Sequence, residues 1–444
     1  MGIPTTAIFD IGKTNKKFFL FDDELNELHH EYQQFEQIED DDGFLGEDLP
    51  TLSAWMKDVV TQVLQNDRYQ VQALNFSGYG ASLVHLNEQG QVATPFYNYL
   101  KPFPEDLLRQ FYEQYGPQEQ NDLETGSPTL GMLNSGMQLY WLKKLKPQQF
   151  DTIQHTLHFP QYLSYLFTGE LATEPTSVGC HTKLWDFQQG RYHTWVQQEG
   201  VEHLLPTIIP TDHYVNTELV GQHVKVGVGI HDSSAALVPY QQRYDDPFML
   251  LSTGTWNISL NPFTEEVLSR KELQRDCLTF LDTQGQPVKA ARLFLGNELE
   301  HQLKRLNTIF NQESDYYRSI ALDNHFLEDA LSGTKACQFY PETIDNPLPS
   351  EILTPGQWQP EKLDTYEEAY HQLLWGIALL QKESLLLAQG ASPIRQVFID
   401  GGFANNPLFT GMLRRLLPDH TFRTSALPMG SAYGAAMVMR GKAT

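Results

Sequence analysis

Short apolar runs that stop at Gly- or Asp-bearing turns recur along the chain, with helical stripes between them. Ala7-Ile8-Phe9-Asp10 leads into the polar turn Ile11-Gly12-Lys13-Thr14-Asn15-Lys16, and Lys17-Phe18-Phe19-Leu20-Phe21 follows. Two such runs around a short polar turn predict a β-hairpin, and a third strand is expected from Leu25 to Tyr32. Leu49, Leu52, Met56, Val59 or Val60 and Val63 share one face at helical spacing, which predicts a core-facing helix over 49–64. Val71 to Phe76 reads as a strand ending in the small-residue loop Ser77-Gly78-Tyr79-Gly80-Ala81-Ser82. A second hairpin is expected over 82–94, turning at Asn87-Glu88-Gln89-Gly90. Met137 to Leu145 reads as a buried helix with Trp141 in the core, and Tyr162 to Phe167 as a helix stopped by Gly169.

The second half repeats the plan of the first. Phe248 to Ser252, Thr253-Gly254-Thr255 and Trp256 to Leu260 again read as strand, Gly/Thr turn and strand, an echo that suggests two halves of related design. A long helix is expected over 364–388, then the strand Ile394 to Ile399, the loop Asp400-Gly401-Gly402-Phe403-Ala404-Asn405, a helix over 408–417 and a closing helix over 430–439. The polar, Pro-bounded stretch from Pro239 to Pro247 marks a boundary, dividing the chain into domains 1–243 and 244–444. Residues 262–346 show no legible pattern. Strands alternating with helices make this an α/β protein.

Composition narrows the function. The 444 residues are 41% hydrophobic and 19% charged, as in ordinary globular proteins, and the formal net charge is -24. Such a charge argues against nucleic acid and anionic membranes as partners. It leaves room for an anionic ligand held by local N–H groups and a metal ion. Three cysteines without metal-type spacing suggest a reducing compartment. No basic, apolar leader and no bilayer-length apolar stretch is visible, so a cytoplasmic protein is expected.

Five loops carry candidate chemistry. Val228-Gly229-Ile230-His231-Asp232-Ser233-Ser234 places an acid at the start of a small-residue helix. Alone it reads as a helix cap, while the same carboxylate can take a proton from a substrate hydroxyl. The turn Gly12-Lys13-Thr14-Asn15 behind Asp10 suits phosphate and its magnesium ion, and reads equally as a plain hairpin turn. Gly78, Tyr79 and Gly80 stand where α/β proteins place ligands and leave room for a sugar. Thr253, Gly254 and Thr255 can bond a phosphate chain. Gly401, Gly402 and Asn405 open a helix after a strand, where bare backbone can lie against a base or ribose.

As an ordered set, these residues resemble the FGGY family of carbohydrate kinases. Asp10-Ile11-Gly12-Lys13-Thr14-Asn15 is similar to its first phosphate hairpin, and Gly229-Ile230-His231-Asp232 to the segment of its catalytic base. Ser252-Thr253-Gly254-Thr255-Trp256 is similar to the second phosphate hairpin, and Asp400-Gly401-Gly402 with Asn405 to the adenosine loop. The resemblance implies two actin-like, ribonuclease H-like α/β domains with a central catalytic cleft, ATP and Mg2+ as cofactors, and transfer of the γ-phosphoryl group to a terminal sugar hydroxyl. It implies Asp232 as catalytic base, Asp10 toward the metal, and Gly78, Tyr79, Gly80, His231 and Asp232 at the sugar. The nucleotide falls to Gly12, Lys13, Thr14, Asn15, Thr253, Gly254, Thr255, Gly401, Gly402 and Asn405.

His231-Asp232 with the small loop 78–81 looks closest to kinases of L-rhamnulose and L-fuculose. A methyl-bearing sugar would want an apolar wall, for which Tyr79, Phe96 and Tyr97 are candidates. Phe403 stands where many members carry a third glycine, which would alter the adenine contact. The alternatives are a ketopentose (xylulose) or polyol kinase of the same family, and an actin-like ATP-binding protein that phosphorylates no sugar. Monomer and homodimer both stay open.

Overall fold

A computed structural model describes residues 2–264, 266–344, 353–424 and 430–440. The chain forms two compact units. The first comprises residues 1–245, 279–287 and 429–444; the second comprises 246–278 and 288–428.

In the first unit the opening hairpin is β1 (Ile3–Ile11) and β2 (Lys16–Phe21), followed by β3 (Glu27–Gln33). Helix α1 (Leu49–Leu64) leads to β4 (Tyr69–Gly78), and α2 (Phe159–Thr168) ends at a left-handed Gly169. Then come β5 (Tyr214–Leu219), β6 (Gln222–Gly227), the short β7 (Ile230–His231) and α3 (Asp232–Arg243). The sheet runs β5-β6-β4-β1-β2-β3, with β7 also paired to β4. Strands β1, β4, β6 and β7 are parallel where they pair.

Both faces of this sheet are covered, which explains the unbroken apolar runs in its strands. Ala7, Phe9, Ile11, Phe18 and Leu20 pack with α1, whose inner face is the stripe Leu49, Leu52, Met56, Val59, Val60 and Val63. Ile8, Phe19 and Phe21 point the other way, onto Ala235 and Val238 of α3 and onto the closing helix.

The second unit builds β8 (Met249–Thr253), β9 (Asn257–Asn261), β10 (Cys277–Leu281, whose residues from 279 on belong to the first unit) and β11 (Pro287–Leu293, in the second unit from 288 on), then α4 (Leu295–Phe310), α5 (Tyr366–Gln389), β12 (Gln396–Gly401), α6 (Pro407–Leu416) and β13 (Thr421–Thr424). Its sheet runs β10-β11-β9-β8-β12-β13. The internal echo is real at the level of topology. In each unit an antiparallel hairpin (β1–β2, β8–β9) is followed by a parallel partner on the other side of its first strand (β4, β12).

The closing helix α7 (Gly430–Arg440) belongs with the first unit. A Cβ on Gly434 would lie 1.8 Å from the Ala235 carbonyl oxygen, so only glycine lets the α3 and α7 backbones meet. The same contact bears on Pro239. Instead of breaking the chain there, α3 runs through Pro239 to Arg243. Proline removes the N–H that the Ala235 carbonyl would have accepted, and that carbonyl instead faces the bare backbone of Gly434.

The hairpin expected over 82–94 forms its turn, with Asn87 N–H donating to Gln91 O at 2.8 Å. Its main pairing differs. Strand Leu83–Leu86 pairs with His155–His158, and only one bridge, Leu86 to Val92, joins the local arm.

Candidate functional site

In the first unit the chemistry gathers where parallel strands end. Asp10 of β1 is level with Ser77 of β4, which is level with Ile230 of β7; one step on, Ile11, Gly78 and His231 are level. Crevices at the carboxyl ends of parallel strands are the usual ligand sites of α/β sheets. Asp10, Gly78, Tyr79, Gly80, His231 and Asp232, far apart in sequence, thus come to one sheet end.

Asp232 is the first residue of α3. His231 occupies the cap position without a side-chain cap bond, so Asp232 is not the helix cap. Its Oδ1 accepts from Ser233 N–H at 2.6 Å and from Ser233 Oγ at 3.1 Å, and His231 Nε2 lies 3.4 Å from the same oxygen. No described residue donates to Oδ2, and a third of the side chain is open to water. Burial, with the Asp10 charge next in size, pushes this carboxyl up to about 7.

Asp10 is itself buried, and its Oδ1 accepts from Ser431 Oγ at 2.9 Å, while Lys17 Nζ stands 3.7 Å from Oδ2. The Asp10 charge raises the proton affinity of Asp232, and two carboxylates at one sheet end suit a hard divalent cation, so Asp10 fits a magnesium site.

The loop before Asp232 is held by side chains that the sequence did not single out. Asn75 Oδ1 accepts from Gly229 N–H at 3.1 Å and its amide donates to Ala435 O at 3.0 Å. Gln161 donates to Gly229 O at 3.0 Å. His231 N–H donates to Thr176 Oγ1 at 3.0 Å, and Thr176 is fixed in turn by the fully buried Glu174. Gly229 has φ +85°, and a Cβ there would lie 2.4 Å from Pro160 O.

The turn after β1 is braced from within. Lys16 is buried, and its ammonium donates to Gly12 O (3.2 Å), Lys13 O (2.9 Å) and Glu47 Oε1 (3.0 Å). Lys13 stands 3.6 Å from Glu47 and lies over the rings of Tyr79 and Tyr99, with centroids at 5.5 and 5.2 Å. Burial lowers its pKa. Gly12 is half-buried and Thr14 and Asn15 are exposed, while Gly12 N–H closes the turn on Asn15 O at 3.0 Å. Tyr79 and Phe96 both pack on Phe159. Tyr97 belongs to a different cluster, with its ring on Trp141 and its hydroxyl on Asp41 and Gln149.

The second unit repeats the arrangement: Ser252 of β8 is level with Asp400 of β12, and Thr253 with Gly401. Here the threonine is occupied. Thr253 Oγ1 donates to Asp400 O at 2.5 Å and accepts from Phe403 N–H at 3.1 Å. A Cβ on Gly401 (φ +85°) would lie 1.8 Å from Thr253 O. Gly254, Thr255, Gly402 and Asn405 are the exposed candidates of this unit. Phe403 turns inward, 4.8 Å from Phe409 in the core. Asn406 caps α6 through Leu408 and Phe409 N–H. Helix α4, which falls in the stretch without legible pattern, starts against the Gly/Thr turn, where a Cβ on Gly296 would lie 1.8 Å from Gly254 O.

Comparison with known proteins agrees with this construction. Residues 5–238 match the FGGY family of carbohydrate kinases, N-terminal domain, and residues 245–444 match Carbohydrate kinase FGGY, C-terminal domain. A rhamnulokinase of Halalkalibacterium halodurans is 26% identical over 277 residues, 56% of this chain and 52% of its own length. A probable L-xylulose kinase of Pasteurella multocida is 27% identical over 278 residues, 56% of this chain and 54% of its own. The chain thus spans about half the length of the curated relatives it matches.

Among solved structures, a carbohydrate kinase from Novosphingobium aromaticivorans superposes with a TM-score of 0.80 at 26% identity, covering 99% of this chain and 92% of the other. A glycerol kinase of Plasmodium falciparum with ADP shares the fold (TM-score 0.74, 17% identity, 98% and 89% covered). Both halves match in order and the fold agrees with a two-domain, actin-like α/β plan; the chain belongs to the FGGY family of carbohydrate kinases.

Proposed function

We propose that the protein is an ATP-dependent sugar kinase that transfers the γ-phosphoryl group to a terminal hydroxyl of a ketose, with L-rhamnulose and L-fuculose as first candidates. The observation that carries this reading is the Asp232 carboxyl, raised to about 7 beside Asp10 at the sheet end. A base near neutrality balances availability of the charged form against affinity for the proton. Ser233 occupies Oδ1, so Oδ2 receives the acceptor hydroxyl proton. Gly78, Tyr79, Gly80 and His231 surround the sugar. The cofactors of this reading are ATP and Mg2+. Asp10 would hold the magnesium ion, which when bound neutralises charge on the phosphates.

In the same reading, residues 1–243 supply the sugar site and the base, and 244–444 the nucleotide site. Gly12, Lys13, Thr14 and Asn15 of the first part and Thr253, Gly254 and Thr255 of the second serve the phosphates. Gly401, Gly402 and Asn405 serve the nucleoside. Phosphoryl transfer needs alignment and charge neutralisation more than covalent help. The deoxy-ketohexose preference is supported by the rhamnulokinase relatives. The likeness to a probable L-xylulose kinase supports a ketopentose as the second reading.

ADP release from Mg-ATP, measured with a panel of ketoses, deoxy-ketoses and polyols, tests both. The reading requires one sugar class to raise ADP release well above the sugar-free rate. An ATPase indifferent to every sugar would favour an actin-like ATP-binding protein instead.

A further inference from the structure

Behind the Gly78–Ala81 loop, three side chains of metal-ligand type converge beside Asp232. Cys180, His181 and His231 are buried, and each offers a donor atom within 4.8 Å of the other two. A side chain on Gly80 would meet Cys180 Sγ at 2.9 Å and His231 Nε2 at 3.0 Å, so both atoms face one point above bare backbone. His231 Nε2 is also 3.4 Å from Asp232 Oδ1. His181 Nδ1 lies 3.0 Å from Leu133 O, so Nδ1 donates there and Nε2 is the ring nitrogen suited to a metal. The two imidazoles stand perpendicular with centroids 6.2 Å apart, and Phe280 closes on both rings at 5.8 and 5.5 Å.

One thiol, two imidazoles and one carboxylate are the donor set of a tetrahedral zinc site. Magnesium, which asks for hard oxygens in octahedral array, is a poor fit to it. Donor atoms around tetrahedral zinc stand about 3.3–3.7 Å apart, so the set needs to close by about 1 Å. Asp232 is the exposed member, and its side is the way in. We infer that Cys180, His181, His231 and Asp232 bind a zinc-type divalent cation, and that the ion stops sugar phosphorylation by occupying the Asp232 carboxylate. Binding exchanges the Cys180 thiol proton, and any proton on the Asp232 carboxyl, for the metal, so at least one proton leaves per ion. The inhibitory half rests on the proposed role of Asp232; the site itself does not.

The full chain, stripped of metal and kept reduced, is titrated with Co2+ alone and then with Zn2+. The expected result is a thiolate-to-cobalt charge-transfer band and strong tetrahedral d–d bands that saturate at one equivalent and vanish as Zn2+ displaces cobalt. Cys180→Ser should lose the charge-transfer band and bind Zn2+ at least ~10-fold more weakly, since loss of even an outer partner weakens metal sites about 10- to 100-fold. It should keep its melting curve and its phosphorylation, which becomes zinc-resistant. No thiolate band at one equivalent, or unchanged metal affinity in Cys180→Ser, overturns the site. Stoichiometric binding with undiminished phosphorylation overturns the inhibition alone. A zinc-free parent that phosphorylates no sugar counts against the kinase reading, while the optical titration still decides the site.

Discussion

Replacing Asp232 with asparagine should remove activity and, at the same time, stabilise the protein in a pH-dependent way. The side chains are nearly isosteric, and Asn Oδ1 can still accept from Ser233. What changes is the charge. In the folded chain burial pushes the carboxyl from its ordinary value of 3.8 up to about 7. The folded state therefore holds a proton that the unfolded state has lost over roughly pH 4–7, and stability falls as pH rises through that window. The full shift corresponds to about 4 kcal/mol at ~1.4 kcal/mol per pKa unit. A third of the side chain is exposed, however, so solvent screening brings the expected penalty to about 2 kcal/mol. For a unit of roughly 270 residues that is about 4 °C in Tm.

The assay is thermal unfolding of parent and Asp232→Asn in EDTA-treated buffer without nucleotide, at pH 4.5, 6 and 8. The variant should melt within about 1 °C of the parent at pH 4.5 and about 4 °C higher at pH 8. Its sugar-dependent ADP release should drop ~100- to 10,000-fold, the usual weight of one acid–base group. A gap of equal size at all three pH values, or none at pH 8, would refute the claim that a strained carboxylate sits at this sheet end. Undiminished turnover would remove Asp232 from the mechanism.

Lys16→Met should destabilise the first unit by ~3–5 kcal/mol, because it leaves the buried Glu47 without its nearest cation; Lys13→Met should cost well under half of that in chemical denaturation. Thr253→Val strands the Asp400 carbonyl and the Phe403 N–H together, at about 1–3 kcal/mol each, and calorimetry should find the loss in the transition of the second unit. Phe403→Ala should cost ~3–5 kcal/mol as a core cavity, with ATP affinity of the folded fraction changed less than twofold by isothermal titration; a tenfold loss would mean that the ring touches the nucleotide after all.

Sequence pattern revealed most of the elements because both faces of the first sheet are buried. Strands such as Phe18–Phe21 then read as continuous apolar runs, and the stripe of α1 lies at clean helical spacing. The stretch 262–346 was opaque for a physical reason. The buried face of α4 is Leu295, Glu298, Gln302 and Leu306, half of it polar, so no apolar stripe appears. Glu298 is satisfied by Glu342 and Thr343 N–H, and Gln302 by Trp358, partners that no local window contains. For the same reason the hairpin at 82–94 was assigned a neighbour when its principal partner lies about seventy residues on. At the site, loops with glycine and acid were visible, but Asn75, Gln161, Thr176 and Glu174 were not. Nothing in an isolated Asn or Gln signals that its amide locks a distant backbone.

The two sheet ends solve one problem with different atoms. Each must hold a sharp turn against the end of a neighbouring parallel strand. In the second unit a side chain does it: Thr253 Oγ1 bonds both the Asp400 carbonyl and the Phe403 N–H, and Gly401 supplies the space. In the first unit a buried lysine does it from the turn itself, with Glu47 as counter-ion. The second device uses up Thr253, which in sequence looked ready for phosphate. What remains exposed on these turns is largely backbone at Gly254 and Gly402, with the side chains of Thr14, Asn15, Thr255 and Asn405. Anion recognition here should therefore lean on N–H groups, which a rigid turn presents without further ordering. Under the proposed phosphate role, rigidity of the turn, rather than the charge of any one lysine, would set how well it receives a phosphate.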